Sequence, residues 1–203
     1  MKIICIGRNY AAHAAELGND VPDEPVVFLK PSTALVTGGK PFFYPDFSTD
    51  VHFECELVLR ICRNGKAIEE RFAHRYYDRI GLGIDFTARD IQRACKSAGL
   101  PWEKAKAFDN SAVLGELLGL GALDDPTDVP FELAVDGEVR QSGRSSAMLF
   151  GFDRIIAEVS RYFSLREGDL VYTGTPAGVG PVARGQHLTG RLAGREVLSC
   201  RVK

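Results

Sequence analysis

The 203-residue chain contains no apolar run near the ~20 residues that a membrane-spanning helix needs, so no such span is expected. It has no charge excess: 25 Lys and Arg stand against 27 Asp and Glu, a formal net charge of -2. That balance gives no reason to expect nucleic acid or an anionic membrane as partner. It also lacks any CxxC pair or Cys/His cluster with zinc-finger spacing. Its five cysteines, Cys5, Cys55, Cys62, Cys95 and Cys200, are odd in number and scattered. They read as small buried hydrophobes in a reducing compartment, and a cytoplasmic location is expected. There is no internal repeat, low-complexity tract or linker-like shift, so one domain over residues 1–203 is expected. Residues 1–7 read as a short apolar strand with one Lys, not as a signal peptide.

What is present is an ordinary globular composition, 45% hydrophobic and 26% charged, enough for one good core. Residues 26–29 form an apolar run stopped by Pro31. Residues 52–62 suggest a long strand, and Asn64-Gly65 after it suggests a hairpin turn, since both residues tolerate positive φ. Residues 131–135, Asp136-Gly137 and residues 138–141 suggest a second hairpin. Residues 170–173 suggest a strand, and 188–192 with 197–202 a closing pair around Gly194. Helices are fewer. Residues 89–98 follow Thr87, whose hydroxyl is a candidate cap, with Asp90 as the capping-box carboxylate. Residues 152–163 carry Ile155, Ile156, Val159 and Phe163 at helical spacing. Many short strands, Gly-rich turns and few helices indicate a β-rich α+β domain.

The most informative local pattern is His52-Phe53-Glu54-Cys55-Glu56-Leu57-Val58-Leu59. Side chains alternate across a strand, so Glu54 and Glu56 share one face, their Cα atoms about 6–7 Å apart. On this pattern alone, a half-exposed strand with an acidic outer face is the simpler account. Asp85 changes the balance, because it ends the apolar stretch 80–84, where a carboxylate needs a partner. Three carboxylates without His or Cys would make an all-oxygen site, which suits hard cations such as Mg²⁺ or Mn²⁺.

Other polar residues admit two readings each. His13 and Glu16 stand three apart, which on a helical turn fits a surface pair worth a few tenths of a kcal/mol. Arg89 and Gln92 are also three apart, on a face that carries Arg93 and Lys96, which are assigned to solvent. Lys106 sits in the locally apolar Ala105-Lys106-Ala107-Phe108. Lys30, before Pro31, is either a surface strand end or part of a site. Thr173-Gly174-Thr175-Pro176, followed by Gly178 and Gly180, lacks the Gly-Lys-Ser/Thr end of a phosphate loop. It is either a plain turn or one whose N–H groups and Thr175 hydroxyl bind a carboxylate.

Six segments together resemble the single-domain fumarylacetoacetate hydrolase family. They are Gly7-Arg8-Asn9-Tyr10-Ala11-Ala12-His13 with Glu16, Phe28-Leu29-Lys30-Pro31-Ser32, and the Glu54 strand. Asp85-Phe86-Thr87-Ala88-Arg89-Asp90-Ile91-Gln92, Leu100-Pro101-Trp102-Glu103-Lys104-Ala105-Lys106, and residues 168–180 complete the set. They occur in the family's order and cover nearly the whole chain. The resemblance implies a mixed β-sandwich roll, a homodimer, and a divalent metal held by Glu54, Glu56 and Asp85. Mg²⁺ or Mn²⁺ is expected there, with Ca²⁺ also accommodated. It further implies that His13 and Glu16 form a water-activating dyad, and that Lys106, Arg89 and Gln92 contact a small 2-oxo acid. The segment 7–19, with few core anchors, is then a candidate lid. The leading expectation is hydrolysis of a carbon–carbon bond in a 2,4-dioxo acid, releasing pyruvate. Oxaloacetate decarboxylation and isomerisation of an unsaturated 2-hydroxy diacid use the same centre, and a non-catalytic 2-oxo-acid binder is the remaining alternative.

Overall fold

Short β-branched and aromatic runs punctuated by Gly and Pro dictate most of the strands. The computed structural model describes the chain apart from Leu17, Asn19 and the side chain of Ala14. β1 (Ile3–Gly7) leads to a short helix α1 (Ala11–Glu16) and to β2 (Val26–Lys30), which Pro31 ends. β3 (Leu35–Val36), β4 (Val51–Phe53), β5 (Cys55–Ile61) and β6 (Tyr77–Asp85) follow. β7 (Thr87–Ala88) runs into α2 (Arg89–Ser97) and α3 (Glu103–Lys106). Next come β8 (Ala112–Gly119), β9 (Pro130–Val135), β10 (Glu138–Arg144), α4 (Phe152–Tyr162) and β11 (Leu170–Tyr172). β12 (Gly180–Pro181), β13 (His187–Leu192) and β14 (Arg195–Arg201) close the order.

The strands form a seven-stranded sheet, β2-β1-β11-β5-β6-β8-β3, a four-stranded sheet, β10-β9-β13-β14, and a small sheet, β12-β4-β7. The large sheet is mixed: β1 pairs with β11 in parallel, Ile3 opposite Leu170, while β5, β6 and β8 are antiparallel. This is the β-rich α+β arrangement, a curled mixed sheet with few short helices, that the sequence indicated. The main core lies between the large sheet, the four-stranded sheet and α4. Leu57, Leu59, Ile80 and Leu82 meet Leu133, Leu188, Ile155 and Ile156 there, all fully buried. The opposite face of the large sheet carries a smaller cluster that includes Cys5, Val58 and Tyr172. The two glutamates of the alternating pattern point to that second side.

Several sequence expectations hold in detail. The hairpin at Asp136-Gly137 has positive φ at both residues, 51° and 86°, as a two-residue turn with right-handed strand twist requires. Ala193 and Gly194 do the same between β13 and β14, at 48° and 78°. Others need correction. Residues 52–62 are not one strand, because the ladder breaks at Glu54 between β4 and β5. Asn64-Gly65 makes no hairpin turn; β5 and β6 are joined by residues 62–76, which include a 3-10 helix at Glu70–Arg75. Gly65 is needed instead for close approach, since a Cβ there would lie 2.5 Å from the Tyr76 ring. Thr87 does not cap α2, which has no side-chain cap. Asp90 instead accepts from the Ser48 hydroxyl at 2.7 Å and the Thr49 N–H at 3.0 Å. All five cysteines are free thiols, buried except for the half-buried Cys62.

Candidate active site

The break at Glu54 has an identifiable cause. Gln141, fully buried on β10, accepts from the Cys55 N–H at 2.9 Å and thereby replaces a partner strand. The same amide donates to Thr175 Oγ1 at 2.8 Å and to the Pro176 carbonyl at 2.9 Å. One side chain therefore ties the turn after β11 to the start of β5. Glu54 and Asp85 lie side by side across the strand pair, the Asp85 N–H donating to the Glu54 carbonyl at 2.8 Å. Glu56 stands opposite Gly83. A Cβ at Gly83 would lie 2.6 Å from the Tyr172 ring and 2.8 Å from Val58, so glycine makes room for that ring beneath the carboxylates. Glu54, Glu56 and Asp85 are all buried and each offers an oxygen within 4.8 Å of the others.

Three buried cations surround this trio. The Lys106 ammonium donates to Glu54 Oε2 and Asp85 Oδ2, both at 2.7 Å, and to Thr87 Oγ1 at 2.6 Å. Its remaining face lies 5.1 Å from the centre of the Phe28 ring. Arg89 donates to Glu54 Oε1 at 2.6 Å and to Gln92 Oε1 at 2.7 Å. Lys30 is fully buried behind the carboxylates. It donates to the Lys106 carbonyl, to the Ser111 hydroxyl at 2.9 Å and to the Ser111 carbonyl at 3.2 Å. Its ammonium is 2.7 Å from Asp85 Oδ1, near enough for charge attraction but not aligned as a hydrogen bond.

The electrostatics of the trio are uneven. Burial alone would raise Glu54, but Lys106 and Arg89 hold its carboxyl well below the usual range. Glu56 goes the other way, raised by burial and then by the charges of Asp85 and Glu54. The one bond that offsets this is from the Gly174 N–H, 2.8 Å from Glu56 Oε2. Burial pulls Lys106 down, yet Asp85 and Glu54 raise it above the ordinary lysine range. A buried Glu56 carboxyl with too little positive charge, and an Asp85 oxygen without a hydrogen bond, are what a hard divalent cation would correct. The donor set is all oxygen and fits Mg²⁺, Mn²⁺ or Ca²⁺.

His13 and Glu16 meet at the same opening. His13 is buried on α1, and its Nδ1 lies 3.2 Å from Glu16 Oε2. The Gly178 N–H holds Glu16 from the other side, at 3.1 Å from Oε1 and 3.3 Å from Oε2. Gly178 has φ +96°, and a Cβ there would run into the Arg140 carbonyl, so only glycine serves at this point. His13, Glu54, Glu56, Arg89, Gln92, Lys106 and Thr175 all line one cavity. Its volume is about 50 Å³, on a scale where one water needs about 10–15 Å³, so it suits an acid of a few carbons. Thr175 reaches the lining, but its hydroxyl proton goes to the Cys55 carbonyl at 2.8 Å. Lys30 does not line the cavity, and Asp85 sits just behind it. Of the candidate lid, residues 11–16 are helical, while Leu17 and Asn19 lie outside the described residues.

Several residues at this site escaped the sequence reading. Asn9, fully buried, donates to the Thr173 carbonyl at 2.8 Å and the Phe150 carbonyl at 3.0 Å, and accepts from the Phe150 N–H at 2.7 Å. It pins the segment that carries His13 to the end of β11. Thr87 was read as a cap, yet it donates to Glu54 Oε1 at 3.1 Å while accepting from Lys106. Arg8, Lys96, Phe28 and Trp102 also line the cavity. The only available signal was Asn9 and Gln141 themselves, carboxamides within otherwise apolar or turn-forming contexts.

Comparison with known proteins places this geometry. The fumarylacetoacetate hydrolase C-terminal family model matches residues 2–203. The chain is 42% identical over 201 residues to mitochondrial oxaloacetate tautomerase FAHD1 of Mus musculus, covering 99% of this chain and 90% of that protein. It is 42% identical over 189 residues to oxaloacetate tautomerase YcgM of Escherichia coli, covering 93% of this chain and 86% of that protein. A crystal structure of fumarylpyruvate hydrolase from Pseudomonas aeruginosa, in complex with Mn²⁺ and pyruvate, superposes with a TM-score of 0.94 at 39% identity. That match covers 100% of this chain and 89% of the other. The chain belongs to the fumarylacetoacetate hydrolase family.

Proposed function

We propose that the chain is a divalent-metal-dependent enzyme of small 2-oxo acids, and that its reaction is keto–enol tautomerisation of an oxaloacetate-like acid. The observation that carries this reading is one small cavity lined by Glu54, Glu56 and His13, with the Asp85 carboxylate grouped with the two glutamates just behind its wall. Glu54, Glu56 and Asp85 would hold the cation, with Mg²⁺ or Mn²⁺ favoured by their chemistry. Bound there, it would supply Lewis-acid stabilisation of negative charge on the 2-oxo oxygen.

The protein's own residues do the rest. His13 takes a proton from C3 of the acid; the C3–H electron pair becomes the C2–C3 double bond, the C2=O π pair moves onto the 2-oxo oxygen, and that oxygen takes the proton back from the imidazolium to complete the enol. Glu16, itself held by the Gly178 N–H, orients the imidazole and offsets the charge it gains. Arg89 Nε, buried and without a hydrogen bond, is a donor for the acid's carboxylate. Gln92, whose carbonyl is engaged by Arg89, presents its NH₂ group alongside. Lys106 acts as a fixed positive charge, because its three N–H groups are engaged and its neighbours favour the ammonium. Lys30 supports Asp85 from behind, and Thr175 shapes the wall.

Hydrolysis of a 2,4-dioxo acid is the second reading. It is supported by the similarity to the fumarylpyruvate hydrolase and by a His–Glu pair suited to activating water. The test is to supply Mg²⁺ and measure oxaloacetate tautomerisation, oxaloacetate decarboxylation and fumarylpyruvate hydrolysis in one preparation. Tautomerisation should be fastest, and His13→Asn should slow it by about 10²–10⁴-fold. Faster fumarylpyruvate cleavage would favour the hydrolase, and no turnover of any 2-oxo acid would end the enzyme reading.

A further inference from the structure

Strand β10 reverses the usual division of a half-buried strand. Val139 stands half exposed, whereas Gln141, two residues on, is fully buried. In a regular strand these two residues would share a face. A bulge separates them: Val139 pairs with Ala134 and Gln141 with Leu133, so Arg140 is an extra residue that turns Gln141 inward. β10 belongs to the four-stranded sheet, yet this amide reaches β5 and the turn after β11, in the large sheet. There the hydrogen bonds close a ring. The Cys55 N–H donates to Gln141 Oε1 at 2.9 Å, Gln141 Nε2 to Thr175 Oγ1 at 2.8 Å, and Thr175 Oγ1 to the Cys55 carbonyl at 2.8 Å. The second Nε2 proton goes to the Pro176 carbonyl at 2.9 Å. Reversing the amide would set donor against donor and carbonyl against carbonyl, so one orientation is fixed. A buried amide costs stability unless it is satisfied in this way, whereas an apolar side chain needs no partners. Packing alone does not call for glutamine here.

The places where the ring meets the chain give it reach. Cys55 lies between Glu54 and Glu56, so holding its N–H and carbonyl fixes the backbone from which both carboxylates project. Thr175 and Pro176 lie between two glycine donors. The Gly174 N–H meets Glu56 at 2.8 Å, and the Gly178 N–H meets Glu16 at 3.1 Å. We infer that Gln141 is a positioning residue for both halves of the site, the carboxylates on one side and the His13–Glu16 pair on the other. The inference rests on the reading of Glu54, Glu56 and Asp85 as metal ligands and of His13–Glu16 as the base. It adds that one amide, acting through Thr175 and the backbone, keeps the two in register. Without it both should loosen together.

The test uses the full chain. Mg²⁺ is titrated calorimetrically without substrate, and oxaloacetate tautomerisation is followed at saturating Mg²⁺. Gln141→Met keeps the length of the side chain and removes all three hydrogen bonds. The Mg²⁺ dissociation constant should rise on the order of tenfold or more, as for groups that orient metal ligands. Even with the metal site filled, kcat should fall on the order of tenfold, and KM should move less than kcat, because the turn that holds Glu16 is no longer fixed. Thr175→Val opens the ring from its other side, should weaken Mg²⁺ in the same direction, and serves where Gln141→Met folds poorly. Leu133→Val, opposite Gln141 in register, is the control for stability. It should lower the unfolding midpoint and leave Mg²⁺ binding and kcat unchanged. If Gln141→Met lowers the midpoint alone, or Leu133→Val shifts both readouts as much, the amide is structural only and the assignment falls. Loss confined to one readout also overturns it, since the amide would then serve one half of the site. Unmodified protein that takes up no Mg²⁺ defeats the metal reading itself, and the inference with it.

Discussion

Around the cavity, Lys30, Lys106 and Arg89 meet Glu54 and Asp85 at 2.6–2.7 Å, with every side chain less than a tenth exposed. At the surface, Arg195 meets Glu116 at 2.8 Å and Arg60 meets Asp78 at 2.6 Å, with a third or more of each side chain in water. The distances match, but the energetics do not. Exposed pairs gain little because water already serves their charges, and about 0.2–1 kcal/mol is typical. Buried ones carry a desolvation penalty that mutual attraction only partly offsets, so an apolar replacement of the whole group is often no less stable. Stability therefore gives little reason to keep these five charged groups inside, which agrees with the proposed work on a ligand. Their stability consequences appear when one member is removed alone.

Four experiments probe that contrast. Glu56→Gln should have the largest effect. Removing groups that merely orient ligands costs about 10–100-fold, so loss of the proposed ligand itself should cost more. Turnover should fall by more than that, and calorimetric titration should reveal weakened Mg²⁺ uptake with the fold retained. Lys30→Met comes next, because it leaves Asp85 buried with half its compensation. A loss of about 3–5 kcal/mol in denaturant unfolding is expected. The double variant Lys30→Met/Asp85→Asn should regain much of that stability and none of the activity. If the single variant loses nothing, Lys30 is not part of the charge balance.

The third experiment is pH dependence without metal. Glu56 has a raised carboxyl pKa, so the folded protein holds that proton more tightly than the unfolded chain. Its contribution is most favourable below its unfolded value of about 4.3, and stability should fall as pH rises above that point. Glu54, lowered by its cations, has the opposite sign and loses stability as pH falls below the same value. Thermal midpoints from pH 5 to 8 should decline without Mg²⁺, and the decline should flatten in Glu56→Gln or with Mg²⁺ added. The smallest effect belongs to Arg195→Ala, under about 1 kcal/mol and further reduced by salt. A larger loss there would erase the distinction between the two sets.

The legible and illegible parts of this molecule divide by sequence distance. Glu54, Glu56 and Asp85 could be read because strand alternation and an out-of-place carboxylate are local signals. The Asp136-Gly137 hairpin could be read because two residues determine it. The break at Glu54 could not, because its cause is Gln141, 86 residues away. Lys30 admitted two readings, a surface strand end or part of a site; its burial depends on carbonyls and a hydroxyl contributed by residues 86–111. Thr87 obeyed the rule for a helix cap but was claimed by Glu54 and Lys106, a stronger pair of partners. At Asn64-Gly65 a valid turn preference lost to the burial of Ile68 and Ala73 in the longer connection. The reaction was the least legible property, since hydrolysis, decarboxylation and tautomerisation draw on one set of side chains.

The parallel pairing of β1 with β11 joins residues 3–5 to residues 170–172, and Gly178 closes on Glu16 just beyond it. During synthesis the first strand must therefore wait, lacking this neighbour, until residues 170–172 have left the ribosome. Such wide sequence separation makes folding slow, because loop closure must precede any stabilising contact. A nascent or truncated form ending before residue 170 would expose the edge of β1 and is a natural client for chaperones.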